Sequence, residues 1–100
     1  MIMADEGIAA ALSLADRPGL RRGVRAGIDP LSGDKVLLFP EGVLFLNETA
    51  AAVIQECDGS RSVADVVQAV GKVYDNVALE DVMSLLQDLI AQHLLVAHRG

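Results

Sequence analysis

The densest apolar patterning lies between Lys35 and Leu46, where KVLLF and VLFL flank Pro40-Glu41-Gly42. KVLLF is nearly continuously apolar, which predicts a central strand covered on both faces. Pro-Glu-Gly predicts a tight connection, with Gly42 free to take φ > 0. VLFL returns as the second arm of a hairpin, with Val43 and Phe45 on one face and Leu44 and Leu46 on the other. Upstream, LRRGVRAGID sets Val24 and Ile28 among polar residues, a weaker strand signal ended by Asp29-Pro30 and Ser32-Gly33. Three short strands are therefore expected within residues 20–47.

From Asn47 onward the period changes to that of a helix. Asn47 is a favourable N-cap, and Glu48 sits where the helix dipole favours a carboxylate. Ala50, Val53, Ile54 and Cys57 follow at i, i+3, i+4 and i+7 and share a face, with Gly59 as the stop. Ser62 and Asp65 form a capping-box pair that opens a second helix, whose apolar face is Val63, Val66, Val67, Val70 and Tyr74. A third helix starts at Leu79 or Glu80. Its apolar positions, from Leu79 through Val82, Met83, Leu85, Leu86, Leu89, Ile90 and Leu94, span an arc of roughly 180°, wider than the stripe of about 100° that a surface helix buries. The surplus width calls for a second partner, whether a groove wall, the N-terminal segment or another subunit. Residues 1–16 are Ala-rich and apolar and read as a tail or short helix broken at Pro18, with nothing forcing them into the core. Strands grouped before helices make an α+β fold, here three N-terminal antiparallel strands followed by a three-helix bundle, winged helix-turn-helix-like.

Length and composition narrow the possibilities. The chain has 100 residues, enough for one domain, and 52% are hydrophobic, but only 3% are aromatic. The core is thus Val, Leu, Ile and Ala. Net charge is −6, with 8 Lys and Arg against 14 Asp and Glu, which argues against nucleic acid and anionic membranes. A DNA-reading helix is further excluded because Glu80 to Gln92 holds no Lys or Arg and includes Glu80, Asp81 and Asp88. A single cysteine, no basic signal-peptide region and no apolar run of about 18 residues point to the cytoplasm.

Candidate chemistry is sparse. His93 and His98 are five apart and do not share a helical face, and with Cys57 they form no metal-ligand spacing. Cys57 reads as a packed small hydrophobe, without a base to activate it. Gly19, Gly23, Gly27 and Gly33 do not open a helix after a strand, so no phosphate loop is expected. Arg21, Arg22 and Arg25 form the basic cluster, and two roles for it stay open: solubility and protection of a strand edge, or contact with an acidic peptide or partner enzyme. No catalytic residue, metal or cofactor is expected.

Five segments, RPGLRRGVR, VLLFPEG, LNETA, CDGSRSV and DVMSLLQDL, occur in the order and near the spacing of the pyrroloquinoline quinone (PQQ) biosynthesis protein D family, PqqD. The resemblance covers roughly Arg17 to Val96 and assigns residues 17–97 to a peptide-binding domain. It implies a non-catalytic chaperone that binds the ribosomally made precursor peptide PqqA and presents it to the radical S-adenosylmethionine enzyme PqqE, which crosslinks a Glu and a Tyr within the peptide. The same fold serves as a recognition element in other systems that modify ribosomal peptides (RiPPs). There the peptide adds as an antiparallel strand in a groove between the third strand and the third helix. Carried onto this chain, the site is Val43, Leu44, Phe45 and Leu46 with Val82, Met83, Leu86 and Ile90. The wide apolar arc then forms the groove's second wall, and backbone pairing supplies affinity while side-chain pockets supply specificity. The chain departs from the family pattern at His93, where a glycine is usual, and in its Ala-rich N-terminus, which either occupies the groove or supports a dimer. The oligomeric state, monomer or homodimer, stays open, and a DNA-binding winged helix and a generic homodimerising scaffold are the competing readings.

Overall fold

The computed structural model describes residues 12–99, so most of the predicted N-terminal tail lies outside the described residues. In chain order the elements are β1 (Arg17–Leu20), β2 (Arg25–Ile28), β3 (Lys35–Phe39), β4 (Gly42–Phe45), α1 (Glu48–Gln55), α2 (Val63–Gly71), α3 (Leu79–Ala91) and β5 (Leu95–His98). The fold is α+β, and the described residues form five strands in two antiparallel sheets and three helices. β2, β3 and β4 form a three-stranded sheet in sequence order, and β1 pairs with β5 in a separate ribbon.

The hairpin follows the alternation in the sequence. Leu37 lies opposite Leu44 and Val36 opposite Phe45, so Leu37, Phe39, Leu44 and Leu46 share the core-facing side. Leu37 is fully buried, and Phe39, Leu44 and Leu46 pack half-buried against the same core. Val36, on the opposite side, is also buried, as expected of a central strand. Gly42 is not among the glycines with positive φ, contrary to expectation. Its lack of a side chain instead leaves room for the Phe39 ring, whose Cε2 would lie 3.8 Å from an added Cβ.

The helix caps form as the sequence dictates. Asn47 Oδ1 accepts the Ala50 N–H at 2.7 Å, and Ser62 and Asp65 make a reciprocal capping box. The first helix is shorter than expected. It ends at Gln55, so Cys57 lies beyond it, although its Sγ still reaches the Val53 carbonyl at 3.2 Å. Gly59 does not stop that helix. It holds φ +84°, donates its N–H to the Pro18 carbonyl at 2.9 Å and lies against Gly19, where an added Cβ would come within 3.2 Å of the Gly59 backbone. The core joins Val53 and Ile54 of α1, Val63, Val66 and Val70 of α2, and Val82, Leu86 and Leu89 of α3 to Leu37. Burying each such side chain contributes about 1.5–3 kcal/mol relative to exposure.

Two strands were missed by the hydrophobic pattern. β1 contains Pro18 and Gly19, which read as a break. Pro18 is tolerated because it lies opposite Ala97 in a non-hydrogen-bonded pair, so its nitrogen faces away from β5, toward the side where only a single bridge, Gly19 to Asp58, adds to β1. β5 is LVAH after the short turn Gln92–Leu94, so Leu94, counted as a position of α3, instead lies past its end. The segment preceding β1 is also fixed. Leu12 belongs to the core, Asp16 is buried, and the Asp16 and Leu14 carbonyls accept the N–H groups of Val63 and Ala64 at 2.9 and 3.1 Å. These carbonyls occupy N–H groups at the start of α2 that would otherwise lack partners.

α3 ends in a left-handed residue. The Leu94 N–H bonds to the Leu89 carbonyl at 2.9 Å and the His93 N–H to the Ile90 carbonyl at 3.0 Å, a Schellman closure with Leu94 and Leu89 in buried contact positions. His93 therefore takes φ +63°, the conformation that favours glycine.

Candidate functional site

β4 is an edge strand whose inner side pairs with β3. The Leu46 N–H donates to the Lys35 carbonyl at 2.9 Å, which fixes the phase of the ladder. In an antiparallel pair, hydrogen-bonded and non-bonded residue pairs alternate. Lys35–Leu46, Leu37–Leu44 and Phe39–Gly42 are thus the bonded pairs, and Val43 and Phe45 turn both their N–H and C=O groups outward. No described strand covers that edge. The side chains of Val43 and Phe45 are 48% and 53% exposed, while Leu44 and Leu46 are half-buried on the core side. The open backbone groups accordingly belong to Val43 and Phe45, and the core-facing side chains at the same edge belong to Leu44 and Leu46.

α3 presents a graded surface. Val82, Leu86 and Leu89 are sealed in the core, at 1%, 0% and 1% exposed. At about 100° per residue, Leu79, Met83 and Ile90 fall on one flank of that buried stripe. Met83 and Ile90 are half-buried and Leu79 is 41% exposed. Of the four α3 residues expected at the site, Met83 and Ile90 are therefore half-buried at the surface and Val82 and Leu86 are sealed in the core. Leu79 shares this flank and was read only as part of the apolar arc; its position one turn ahead of Met83 is the signal that finds it.

Arg21 ties these parts together. Its guanidinium Nε donates to the His93 carbonyl at the end of α3, and its Nη2 lies 3.7 Å from Glu41 Oε1 in the β3–β4 turn. The Arg21 backbone N–H also bonds the Leu94 carbonyl at 3.0 Å. One side chain thus holds the C-terminal end of α3 beside the turn that leads into β4. Left-handed His93 is what turns its carbonyl out of the helix end, where the arginine reaches it. Arg22 and Arg25, the other members of the basic cluster, are exposed and make no ion pair among the described residues.

Groups suited to covalent or metal chemistry do not converge. Among the described residues no three His, Cys, Asp or Glu side chains are grouped to hold a metal ion. Burial, and secondarily the charge of Asp58, pushes the Cys57 thiol up to about 12, so it stays protonated at neutral pH. A cleft of about 600 Å³ opens between Lys35, Leu46, Ala52, Val70 and Tyr74, so Leu46, one of the expected site residues, lines it on the side of α1 and α2. Volume alone does not mark a strand-addition site, which requires an unpaired edge. No described helix is long and apolar enough to cross a membrane.

This chain is similar to known proteins in sequence and in fold. Residues 34–95 match the family Coenzyme PQQ synthesis protein D (PqqD). A PqqA binding protein of Azotobacter vinelandii is 41% identical over 78 residues, covering 75% of this chain and 84% of that protein. A bifunctional coenzyme PQQ synthesis protein C/D of Methylorubrum extorquens is 34% identical over 88 residues, covering 85% of this chain but 24% of that longer protein. The solution NMR structure of the PqqD truncation of Methylobacterium extorquens PqqCD, a functional and stand-alone RiPP recognition element, superposes with a TM-score of 0.73 at 33% identity, covering 88% of this chain and 97% of that one. The match spans the hairpin, the three helices and the start of β5, so the segment that carries the open β4 edge is the segment that defines the family: this chain belongs to the PqqD family.

Proposed function

We propose that this protein is a non-catalytic recognition element of PQQ synthesis that binds a PqqA-type precursor peptide and presents it to the radical S-adenosylmethionine enzyme PqqE. The peptide adds antiparallel to β4, exchanging backbone hydrogen bonds with Val43 and Phe45. Its apolar side chains settle against Leu44 and Leu46 and the Met83–Ile90 flank of α3, over Val82 and Leu86. Leu79 extends that flank, and Arg22 and Arg25 are available to an acidic partner. What supports this reading is the unpaired β4 edge, together with an apolar flank of α3 that the core leaves half-exposed. Kinship with proteins named for PqqA binding supplies the identity of the peptide. The sheet followed by three helices is read as a winged-helix-like frame that has exchanged DNA contact for strand addition, working in the cytoplasm. Its α3 carries Glu80, Asp81 and Asp88 and no basic residue, which disfavours phosphate contact.

Amide NMR titration with the precursor peptide, against a scrambled control, tests the proposal. The expected result is one peptide per chain, with shifts along 43–46 and 79–90 and slowed solvent exchange at the Val43 and Phe45 amides. Shifts confined to Arg21–Arg25 would relocate the site, and unchanged exchange at Val43 and Phe45 in the saturated complex would reject strand addition.

A further inference from the structure

The two ends of β4 and α3 carry opposite charge. At one end Arg21 bonds the His93 carbonyl and lies beside Glu41, which puts the C-terminal end of α3 at the start of β4. At the other, Asp81 in the first turn of α3 and Thr49 in the first turn of α1 line one cleft of about 580 Å³, beyond the last residue of β4. Its lining also includes Val73, Tyr74, Asp75 and Val77. Helix and strand therefore run in opposite directions. The first end carries Arg21, Arg22 and Arg25 against Glu41. The cleft end carries Glu48, Asp75, Glu80 and Asp81, all exposed and without an ion pair among the described residues. These four carboxylates outweigh the roughly half positive charge of the α3 N-terminus. Lys72, the nearest cation in sequence, does not line the cleft.

We infer that this cleft is a subsite for a lysine or arginine of the bound peptide, which also carries an acidic residue further toward its C-terminus, for the Arg22 end. The inference rests on the peptide-binding proposal and names the peptide's charge pattern. A strand antiparallel to β4 runs from the cleft toward Arg21. Residues that precede the paired segment thus reach Asp75 and Asp81, and residues that follow it reach Arg22. The cleft suits a long cation. Tyr74 is half-buried and Val73 is 71% exposed, so an aliphatic stem packs on them while its charged head meets the carboxylates. A cation over the Tyr74 ring gains further attraction. From Asp81 to His93 the helix path rises about 18 Å. An extended peptide covers that length in about five or six residues. The substrate class is an apolar strand segment with a cation before it and an anion after it, about six residues apart. The outward N–H and C=O groups of Val43 and Phe45 can pair with a strand of either direction, so the charged ends are what select one.

Fluorescence anisotropy with labelled precursor peptide, at low and high salt, reads the two ends separately. Asp75→Lys should raise Kd about three- to tenfold at low salt and Arg22→Glu by a similar factor, both effects fading as salt rises. Asp88→Lys makes the same charge change as Asp75→Lys on the solvent face of α3 and should stay within about twofold. The three side chains are exposed and make no ion pair, so circular dichroism should be unchanged. A spin label on the N-terminal side of the peptide's paired segment should broaden the Thr49 and Asp81 amides, and one on the C-terminal side those of Arg22 and Gly42. Asp75→Lys binding no weaker than Asp88→Lys overturns the inference, as does an N-terminal label that broadens Arg22 and Gly42. If the saturated complex leaves the Val43 and Phe45 amides unprotected, the peptide-binding proposal fails and this inference falls with it. Protected amides with equal Kd for Asp75→Lys and Asp88→Lys overturn the subsite alone.

Discussion

Replacing Val43 by proline separates strand addition from every other way of binding at this surface. The Val43 N–H faces the open edge, so proline at that position breaks no β3–β4 hydrogen bond. Its half-exposed side chain contributes little to the core, and the cost to folding is expected to stay within about 1 kcal/mol. A peptide strand, by contrast, loses a donor and is left with an unpaired carbonyl against the protein. Leaving such a group unsatisfied costs about 1–3 kcal/mol, equivalent to a roughly 5- to 150-fold rise in Kd. The neighbouring Leu44→Pro reverses the balance: it removes the bond to Leu37 inside the sheet and lowers thermal stability well beyond the Val43→Pro change. Fluorescence anisotropy with labelled precursor peptide, paired with thermal melts by circular dichroism, measures both quantities. A folded Val43→Pro protein that binds as tightly as the parent would refute pairing at β4, whatever the side chains do.

Further expectations concern the frame around the site. His93→Gly relieves a left-handed conformation costing about 1–2 kcal/mol, offset by about 0.5–1 kcal/mol of glycine flexibility, so a net gain of up to about 1 kcal/mol is expected. Thermal melts should rise by about 4–8 °C per kcal/mol gained; no rise would mean that the loop relaxes without strain. Arg21→Ala releases the end of α3 from the β3–β4 turn and should weaken peptide binding without a direct contact, while Arg21→Lys, which keeps the charge but not the fork, should restore it only in part; calorimetric titration distinguishes these outcomes. Hydrogen bonds from the Ser60 side chain, then its backbone, hold Asp58 below the usual carboxylate range. Because the folded value is the lower one, the associated stability is present above the ordinary aspartate pKa and is lost as pH falls through the depressed value. Ser60→Ala should move the Asp58 carboxyl titration, followed by carbon NMR, back up toward the ordinary range.

The sequence determined the elements that are stabilised locally. Alternation of Val43, Leu44, Phe45 and Leu46 fixed which side of β4 meets the core, because a strand has period two. Asn47 and the Ser62–Asp65 pair fixed two helix starts, since their side chains cap backbone groups within four residues. The breadth of the apolar arc on α3 announced a surface with more than one partner. Tertiary structure decided what depends on distant residues. β1 and β5 are four residues each, one built around Pro18-Gly19, and they become strands only because chain positions some eighty residues apart meet, with Gly19 allowing Gly59 to approach. How deeply an apolar α3 residue is buried was equally nonlocal: Val82 and Met83 look alike in sequence, and only the assembled core buries one and leaves the other half-buried. Arg21 read as one of three equivalent cations until the fold brought His93 and Glu41 to it. Backbone phase is the last such property, for no pattern of side chains says which amides face outward. That follows from where the ladder begins, at the Leu46 N–H on Lys35.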